Sequence, residues 1–352
     1  MSELVVDATL ADRRAAFDLS VPSGSVTALV GPNGAGKTSL LHLVAGLLRP
    51  TTGAVRLGER TLSTPSTLVA PHRRHVALLT QHSSLFPHLS VLENVAFAPR
   101  AAGASRAEAA RRASTELAAV GVESLASRRA HELSGGQAQR VAIARALAGD
   151  PDVVLLDEPM AGLDVAVAGE IRHVLSERLR GRTALIVTHE VLDLWMIADQ
   201  VAVLDGGRVV EAGPTEQTLL RPTSPFLAQL SGIALLVGVE RDGDLEIAPG
   251  VRIHGLDDPA QPLARGSQGL AGIPPEAVAL HLERPGGSPR NVLPAVITSL
   301  EPRGGVVRVR LEVASQQLTA DVTSQSVAGL GLREGLPVWA QVKAVQVRLY
   351  GR

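Results

Sequence analysis

The sequence predicts an α/β domain with a largely parallel sheet, followed by a small all-β barrel or sandwich. Three observations carry this expectation. From about residue 4 to 220, short β-branched runs alternate with longer helical patterns. Around Arg221 to Pro225 the segment RPTSP collects Pro, Ser and Thr. Beyond it the pattern changes to short strands separated by Gly and Pro.

The elements follow in order. The segment Met1 to Arg14 carries Glu3, Asp7 and Asp12 among its apolar residues, so it reads as neither a signal peptide nor an Arg-rich, acid-poor transit sequence. The clearest strands are Val26 to Val30, Val153 to Leu156, Ala184 to Thr188 and Val201 to Leu204. Ser105 to Ala119 and Gln137 to Leu147, rich in Ala, Arg, Glu and Leu at helical spacing, read as helices. In the tail, Val306 to Val313 (VVRVRLEV) reads as apolar and basic residues alternating with period two, and Val338 to Leu349 is a further strand candidate. The expected division is a first domain over 1–231, a linker and first part of an accessory β region over 232–287, and a small barrel over 288–352.

Composition narrows the function classes. A chain of 352 residues exceeds what one hydrophobic core usually holds, and 45% hydrophobic with 20% charged residues describes a folded chain with sizeable cores. A net charge of -1 supplies no basic field for phosphate backbones, and four Phe, two Trp and one Tyr leave few stacking platforms for bases. Nucleic acid is therefore not an expected partner. The absence of cysteine excludes disulfides, a thiol nucleophile and Cys-ligated zinc. No apolar run approaches the roughly 18 to 20 residues that span a bilayer, so membrane work requires another chain to do the spanning.

The strongest chemical signal is Gly31-Pro32-Asn33-Gly34-Ala35-Gly36-Lys37-Thr38, which follows the strand VTALV and opens the helical run SLLHLVAGL beginning at Ser39. This strand–loop–helix context is that of a phosphate-binding P-loop. Backbone N–H groups curl around phosphates, Lys37 reaches the β and γ phosphates of ATP, and Thr38 ligates Mg²⁺. Asp157 and Glu158 end the apolar run VVLL and arrive at the carboxyl edge of the sheet. Asp157 is expected to hold Mg²⁺ through water, and Glu158 to polarise the attacking water. His189 follows the strand ALIVT to the same edge, where it is expected to orient water and phosphate. The other histidines show no spacing suggestive of a metal site.

Ser134-Gly135-Gly136-Gln137, preceded by Leu133, leads into a helix and by itself reads as an N-cap. Placed between a P-loop and a strand ending in Asp-Glu, it resembles the signature of the ATP-binding cassette family, whose fold is a P-loop NTPase with a helical subdomain. The resemblance implies that Gln81, after the strand VALLT, is the family's Q-loop residue and a further Mg²⁺ contact. It also implies that the loop Ala161 to Asp164 crosses to a second subunit in a homodimer, and that Ser134 to Gln137 reach ATP held by the partner. One family element is missing: between Ser2 and Pro22 the only aromatic residue is Phe17, whose place beside Leu19 and Val21 suggests the core instead of adenine stacking.

The tail narrows the reading. Gly272 to Leu282 is similar to part of the accessory barrel of importer ATPases, with Pro274 where that pattern has Arg. Ser288-Pro289-Arg290-Asn291-Val292-Leu293 and the stretch Gln341 to Val345 resemble the Mop/TOBE-like oxyanion-binding barrel. Ser288, Arg290, Asn291 and Lys343 are the candidate oxyanion donors, Lys343 being one of only two lysines, the other Lys37 in the P-loop. The combined resemblance is to ATPases of molybdate-type importers. It implies ATP hydrolysis that energises uptake of molybdate or tungstate through a separate transmembrane permease, fed by an extracytoplasmic binding protein. The ATPase is expected at the cytoplasmic face of the membrane as a peripheral subunit. Sulfate, ferric iron and sugars stand as alternative cargoes, and a soluble non-transport ATPase or an oxyanion store as alternative classes. The tail is expected either to bind molybdate or tungstate and restrain transport, or only to strengthen dimerisation. Leu85 and Phe86, in the segment Gln81 to Phe97, are expected to dock a permease helix.

Overall fold

The computed structural model describes residues 2–81, 83–287 and 289–351, and the chain divides into two compact units, 1–216 and 217–352. The division falls earlier than the sequence-based boundary after residue 231.

The first unit contains two sheets. The strands β1 (Leu4–Leu10), β2 (Ala15–Val21), β3 (Val26–Val30), β4 (Thr52–Leu57), β5 (Arg60–Ser63), β6 (Val76–Leu79), β7 (Val153–Asp157), β8 (Thr183–Val187), β9 (Gln200–Asp205) and β10 (Arg208–Pro214) follow one another along the chain. A four-stranded antiparallel sheet has the order β2-β1-β4-β5. The second sheet has the order β10-β9-β3-β8-β7-β6 and is parallel except for its edge strand β10. The expected strands are all present within a residue or two. The antiparallel sheet was not anticipated, because alternating strands such as LVVDATL carry a periodicity that does not say which partner they find.

β3, β7 and β8 are buried at every position, which is why they read as unbroken apolar runs: both faces of the sheet are covered, the one bearing Leu29, Leu155 and Leu185 by a core shared with the antiparallel sheet. The helices are α1 (Lys37–Ala45), α2 (Val91–Ala101), α3 (Arg106–Ala119), α4 (Gly135–Ala148), α5 (Val165–Arg178), α6 (Val191–Ile197) and α7 (Thr215–Leu220). α2, α3 and α4 pack on one another as a helical subdomain. Ser105 caps α3 by accepting from the Glu108 N–H.

α1 ends at Gly46, whose φ of 83° closes the helix in the left-handed region, with its N–H bonded back to His42 and Leu43 carbonyls. A Cβ there would lie 2.3 Å from the Arg74 Nε. Arg74 is fully buried, and its guanidinium donates to the Val44 carbonyl (2.8 Å), the Leu62 carbonyl (3.0 Å), the Val69 carbonyl (2.8 Å) and the Ser63 hydroxyl (2.6 Å). The cation thus sits at the negative end of the α1 dipole and pins that helix to β5.

The second unit contains α8 (Pro225–Ser231), β11 (Ala234–Arg241), β12 (Asp244–Ala248), β13 (Val251–Ile253), β14 (Leu256–Asp257), β15 (Gln268–Ile273), β16 (Ala279–His281), β17 (Asn291–Arg303), β18 (Val306–Val313), β19 (Gln316–Thr323), α9 (Ser324–Leu330), β20 (Pro337–Val342) and β21 (Arg348–Gly351). It forms a six-stranded sheet, β13-β12-β11-β15-β21-β14, and a five-stranded sheet, β16-β20-β17-β18-β19, around one shared core. The segment 232–287, read as linker plus accessory β region, supplies most of the first sheet. Val338 to Leu349, read as one strand, is two: β20 pairs with β17, a short helical turn spans Ala344–Gln346, and β21 pairs with β15. The correction has a simple cause, since the apolar alternation continues through the turn while the chain changes sheets.

Candidate functional site

Parallel strands deliver their carboxyl ends to one edge, and the chain uses four of them. β3 leads to the P-loop, β6 to Gln81, β7 to Asp157 and Glu158, and β8 to Thr188 and His189. Gly31 has φ 148°, and a Cβ there would sit 2.1 Å from the Leu204 carbonyl oxygen, so only glycine lets the loop start this close to β9. The Lys37 ammonium folds back to donate to the carbonyls of Gly31 (2.7 Å) and Pro32 (3.0 Å). Burial lowers its pKa, and the nearby charges of Glu158 and Asp157 oppose that shift. Ser39, two positions beyond Lys37, has its hydroxyl engaged by Arg13 at 2.8 Å.

The Thr38 hydroxyl donates to Asp157 Oδ2 at 3.1 Å. Burial pushes the Asp157 carboxyl above its usual range and the neighbouring Glu158 adds to the rise, while the Thr38 hydrogen bond works against it. Glu158 has φ 50°, a left-handed conformation that costs a non-glycine residue, and its N–H is held by the Val187 carbonyl at 3.1 Å. The Gln81 amide donates to Glu158 Oε2 at 3.3 Å, and His189 Nδ1 lies 3.8 Å from Glu158 Oε1. Thr38 and Asp157 therefore meet as one pair, and Gln81, Glu158 and His189 as a triad centred on Glu158.

Ser134 to Gln137 do not join that group. Ser134 caps α4, with its hydroxyl accepting from the Gln137 N–H and its own N–H bonded to the Gln137 side chain. With Gly162, Leu163 and the exposed Asp164 they line a separate recess of about 580 Å³. Another recess, of about 260 Å³, holds Glu158, His189, Thr188, Asp193 and Arg172 together with the loop Ala161 to Leu163. Phe17 is buried at 2% exposure, its ring 3.5 Å from where a Cβ on Gly36 would lie, so it packs beneath the P-loop as its sequence position suggested.

Phe86 packs against Phe97 with ring centroids 4.7 Å apart and the rings tilted by 49°, and lies beneath the Arg145 guanidinium at 5.5 Å. Arg145 also donates to the Ser83 and Ser84 carbonyls, and the buried Asn94 amide brackets Phe86 through its N–H and carbonyl. In the tail, the pairing Asn291↔Val342 places Arg290 and Lys343, both exposed, side by side at one end of β17 and β20. Asn291 is buried and its amide is spent on the His254 backbone, accepting at 2.7 Å and donating at 2.8 Å. Ser288 lies outside the described residues. Sequence reasoning missed Arg145, Asn94, Arg172 and Asp193; Arg145 and Arg172 act through contacts distant in sequence, while Asn94 bonds Phe86 and Asp193 bonds Thr188 within eight residues, with no periodic pattern to mark either.

Comparison with known proteins gives the same picture over a larger span. The ABC transporter family matches residues 15–161, and the TOBE domain matches 287–349. The chain is 44% identical to the molybdenum import ATP-binding protein ModC of Mycobacterium tuberculosis, over 99% of this chain and 98% of that one. The chain belongs to the ABC transporter family. This ABC ATPase is also 32% identical to the molybdate/tungstate import ATP-binding protein WtpC of Pyrococcus abyssi, over 92% of this chain and 91% of the relative. Among solved structures it is similar to a dimeric ATP-binding cassette in a post-hydrolysis state bound to ADP and Pi. That similarity has a TM-score of 0.55 and 27% identity, over 60% of this chain and 98% of the other. No helix among the described residues is long and apolar enough to cross a membrane.

Proposed function

We propose that this ABC ATPase energises import of molybdate or tungstate through a separate transmembrane permease, as a homodimer at the cytoplasmic face of the membrane. The observation that carries the reading is the 44% identity to a molybdenum import ATP-binding protein across both units, not the cassette alone.

The residues present suit MgATP. The P-loop offers backbone N–H groups at the start of α1, and Lys37 exchanges its two carbonyl contacts for phosphate oxygens. Thr38 and Asp157, with the Gln81 amide oxygen, form a hard-oxygen donor set suited to Mg²⁺. Among the described residues no cluster of three His, Asp or Glu competes for a metal. Bound there, Mg²⁺ supplies charge compensation to the phosphates. Glu158 accepts a proton from the attacking water, Gln81 holds the carboxylate from one side, and His189 orients the γ-phosphate from the other. Ser134 to Gln137, lying with Asp164 in a recess apart from the P-loop residues, complete the site of a second copy. Leu85 and Phe86 present the permease contact.

For the tail, the pair Arg290 and Lys343 supports a regulatory oxyanion site, in which a tetrahedral dianion is held by two cations at the end of β17 and β20. The commitment of both Asn291 amide atoms to His254 favours instead a structural barrel that strengthens dimerisation. Titration calorimetry of the full chain with molybdate, tungstate and sulfate separates the two: saturable binding lost in Arg290→Ala with Lys343→Ala supports regulation, and no heat at millimolar oxyanion supports the structural role. The transport reading is tested by co-reconstituting the chain with its permease in vesicles. ATP-dependent accumulation of molybdate or tungstate is expected, and accumulation of sulfate alone overturns the cargo.

A further inference from the structure

The proposed role of His189 leaves open what holds an imidazole that is itself 61% exposed and lies 3.8 Å from Glu158 and 3.7 Å from Glu190. Exposed side chains sample many rotamers, yet a misplacement of about 1 Å in a catalytic group costs on the order of 100-fold in rate. The backbone carrying His189 must therefore be fixed from below.

Beneath it lies a chain of buried polar side chains that the hydrolysis scheme does not use. Asp193, 2% exposed, receives the Arg172 Nε at 2.6 Å on one carboxylate oxygen. The Thr188 hydroxyl donates to its other oxygen. That same hydroxyl accepts the Glu190 N–H at 3.1 Å. The residues on both sides of His189 are thus tied to one hydroxyl, the hydroxyl to one carboxylate, and the carboxylate to an arginine on α5. Removing water from an aspartate and an arginine is unfavourable unless every lone pair and proton finds a partner, and both Asp193 oxygens do. Ordinary folding requirements at this point would be met by an apolar pair of the same volume.

Resting on the proposed role of His189, we propose that Thr188, Asp193 and Arg172 are positioning residues for hydrolysis, a relay that holds His189 over Glu158. The relay acts through the backbone turn at 188–190 and touches neither nucleotide nor metal. It therefore sets the rate of the chemical step and leaves nucleotide affinity alone.

The test compares Thr188→Val, which keeps the shape and deletes the hydroxyl, with Thr188→Ser, which keeps the hydroxyl, in the full chain. Thr188→Val is expected to lower kcat about tenfold or more with KM for ATP and ATP affinity unchanged, while Thr188→Ser stays within about twofold of the parent. Asp193→Asn, which keeps an acceptor but loses the charge, is expected to fall in the same direction. Single-turnover hydrolysis followed over hours supplies the decisive readout. In a His189→Ala background, Thr188→Val is expected to cause no further loss, because the residue it positions is gone. A wild-type kcat in Thr188→Val, a rise in KM that tracks the loss, or the same loss repeated without His189 overturns the relay. A wild-type rate in His189→Ala overturns the catalytic role of His189, and the relay with it.

Discussion

The Gln81 amide and the Glu158 carboxylate are hydrogen bonded at 3.3 Å, joining the ends of β6 and β7. The contact restrains Glu158 while its other oxygen remains 3.8 Å from His189. Glu158→Gln keeps a side chain of the same shape but cannot accept a proton. Hydrolysis is expected to fall about 10²- to 10⁴-fold with ATP binding intact, and the variant is expected to accumulate ATP-bound dimers by light scattering. Near wild-type turnover with the permease present removes Glu158 from the general-base role.

Lys37→Ala acts on a different quantity. In the proposed site the ammonium is the cation for the β and γ phosphates, and charge-assisted hydrogen bonds contribute about 1.5 to 3 kcal/mol. ATP affinity measured by fluorescence titration is expected to weaken by about ten- to a hundredfold. An unchanged dissociation constant contradicts the P-loop assignment.

Asp157 links the site to stability. Its carboxyl is raised above the usual 3.8, chiefly by burial, so the folded chain holds that proton more tightly than the unfolded chain does. Its contribution to stability is fully present below pH 3.8 and is lost as pH rises through the higher folded-state value. Thermal melts of the nucleotide-free chain are expected to show Asp157→Asn melting above the parent, with the gap widening from pH 4 toward neutrality. The same variant loses Mg²⁺-dependent hydrolysis. A gap independent of pH shows that Asp157 carries no such penalty.

Replacing Leu85 and Phe86 together by Ser removes the ring that Arg145 and Phe97 hold in place. ATP binding is expected to persist while transport by the reconstituted complex falls to background. Transport at the parent rate argues that Phe86 serves only internal packing.

Arg74→Met strands the Val44, Leu62 and Val69 carbonyls in the core without their donor. A loss of at least about 2 kcal/mol in urea denaturation is expected, since several buried acceptors lose their partner at once. A loss below about 0.5 kcal/mol shows that water replaces the guanidinium.

Much of this protein was legible in one dimension. The P-loop, the Asp157-Glu158 pair, His189 and the Ser134 to Gln137 motif are local patterns, each set by a strand or helix end only a few residues away. The convergence of the first three followed from one rule, that parallel strands bring their carboxyl ends to a common edge. The chain change of sheet at Ala344 was not legible, because apolar alternation runs through the turn without interruption. Nor was the fate of Asn291, a loop polar residue by sequence whose amide the fold spends on the His254 backbone. The Arg172–Asp193–Thr188 network and the Arg74 cage were also beyond reach. The sequence by itself determined which candidate groups the strand and helix ends present, since motif geometry is local. Only the tertiary structure decided which groups hold them in place, because burial and hydrogen-bond satisfaction depend on segments that meet across the fold and leave no periodic trace along the chain.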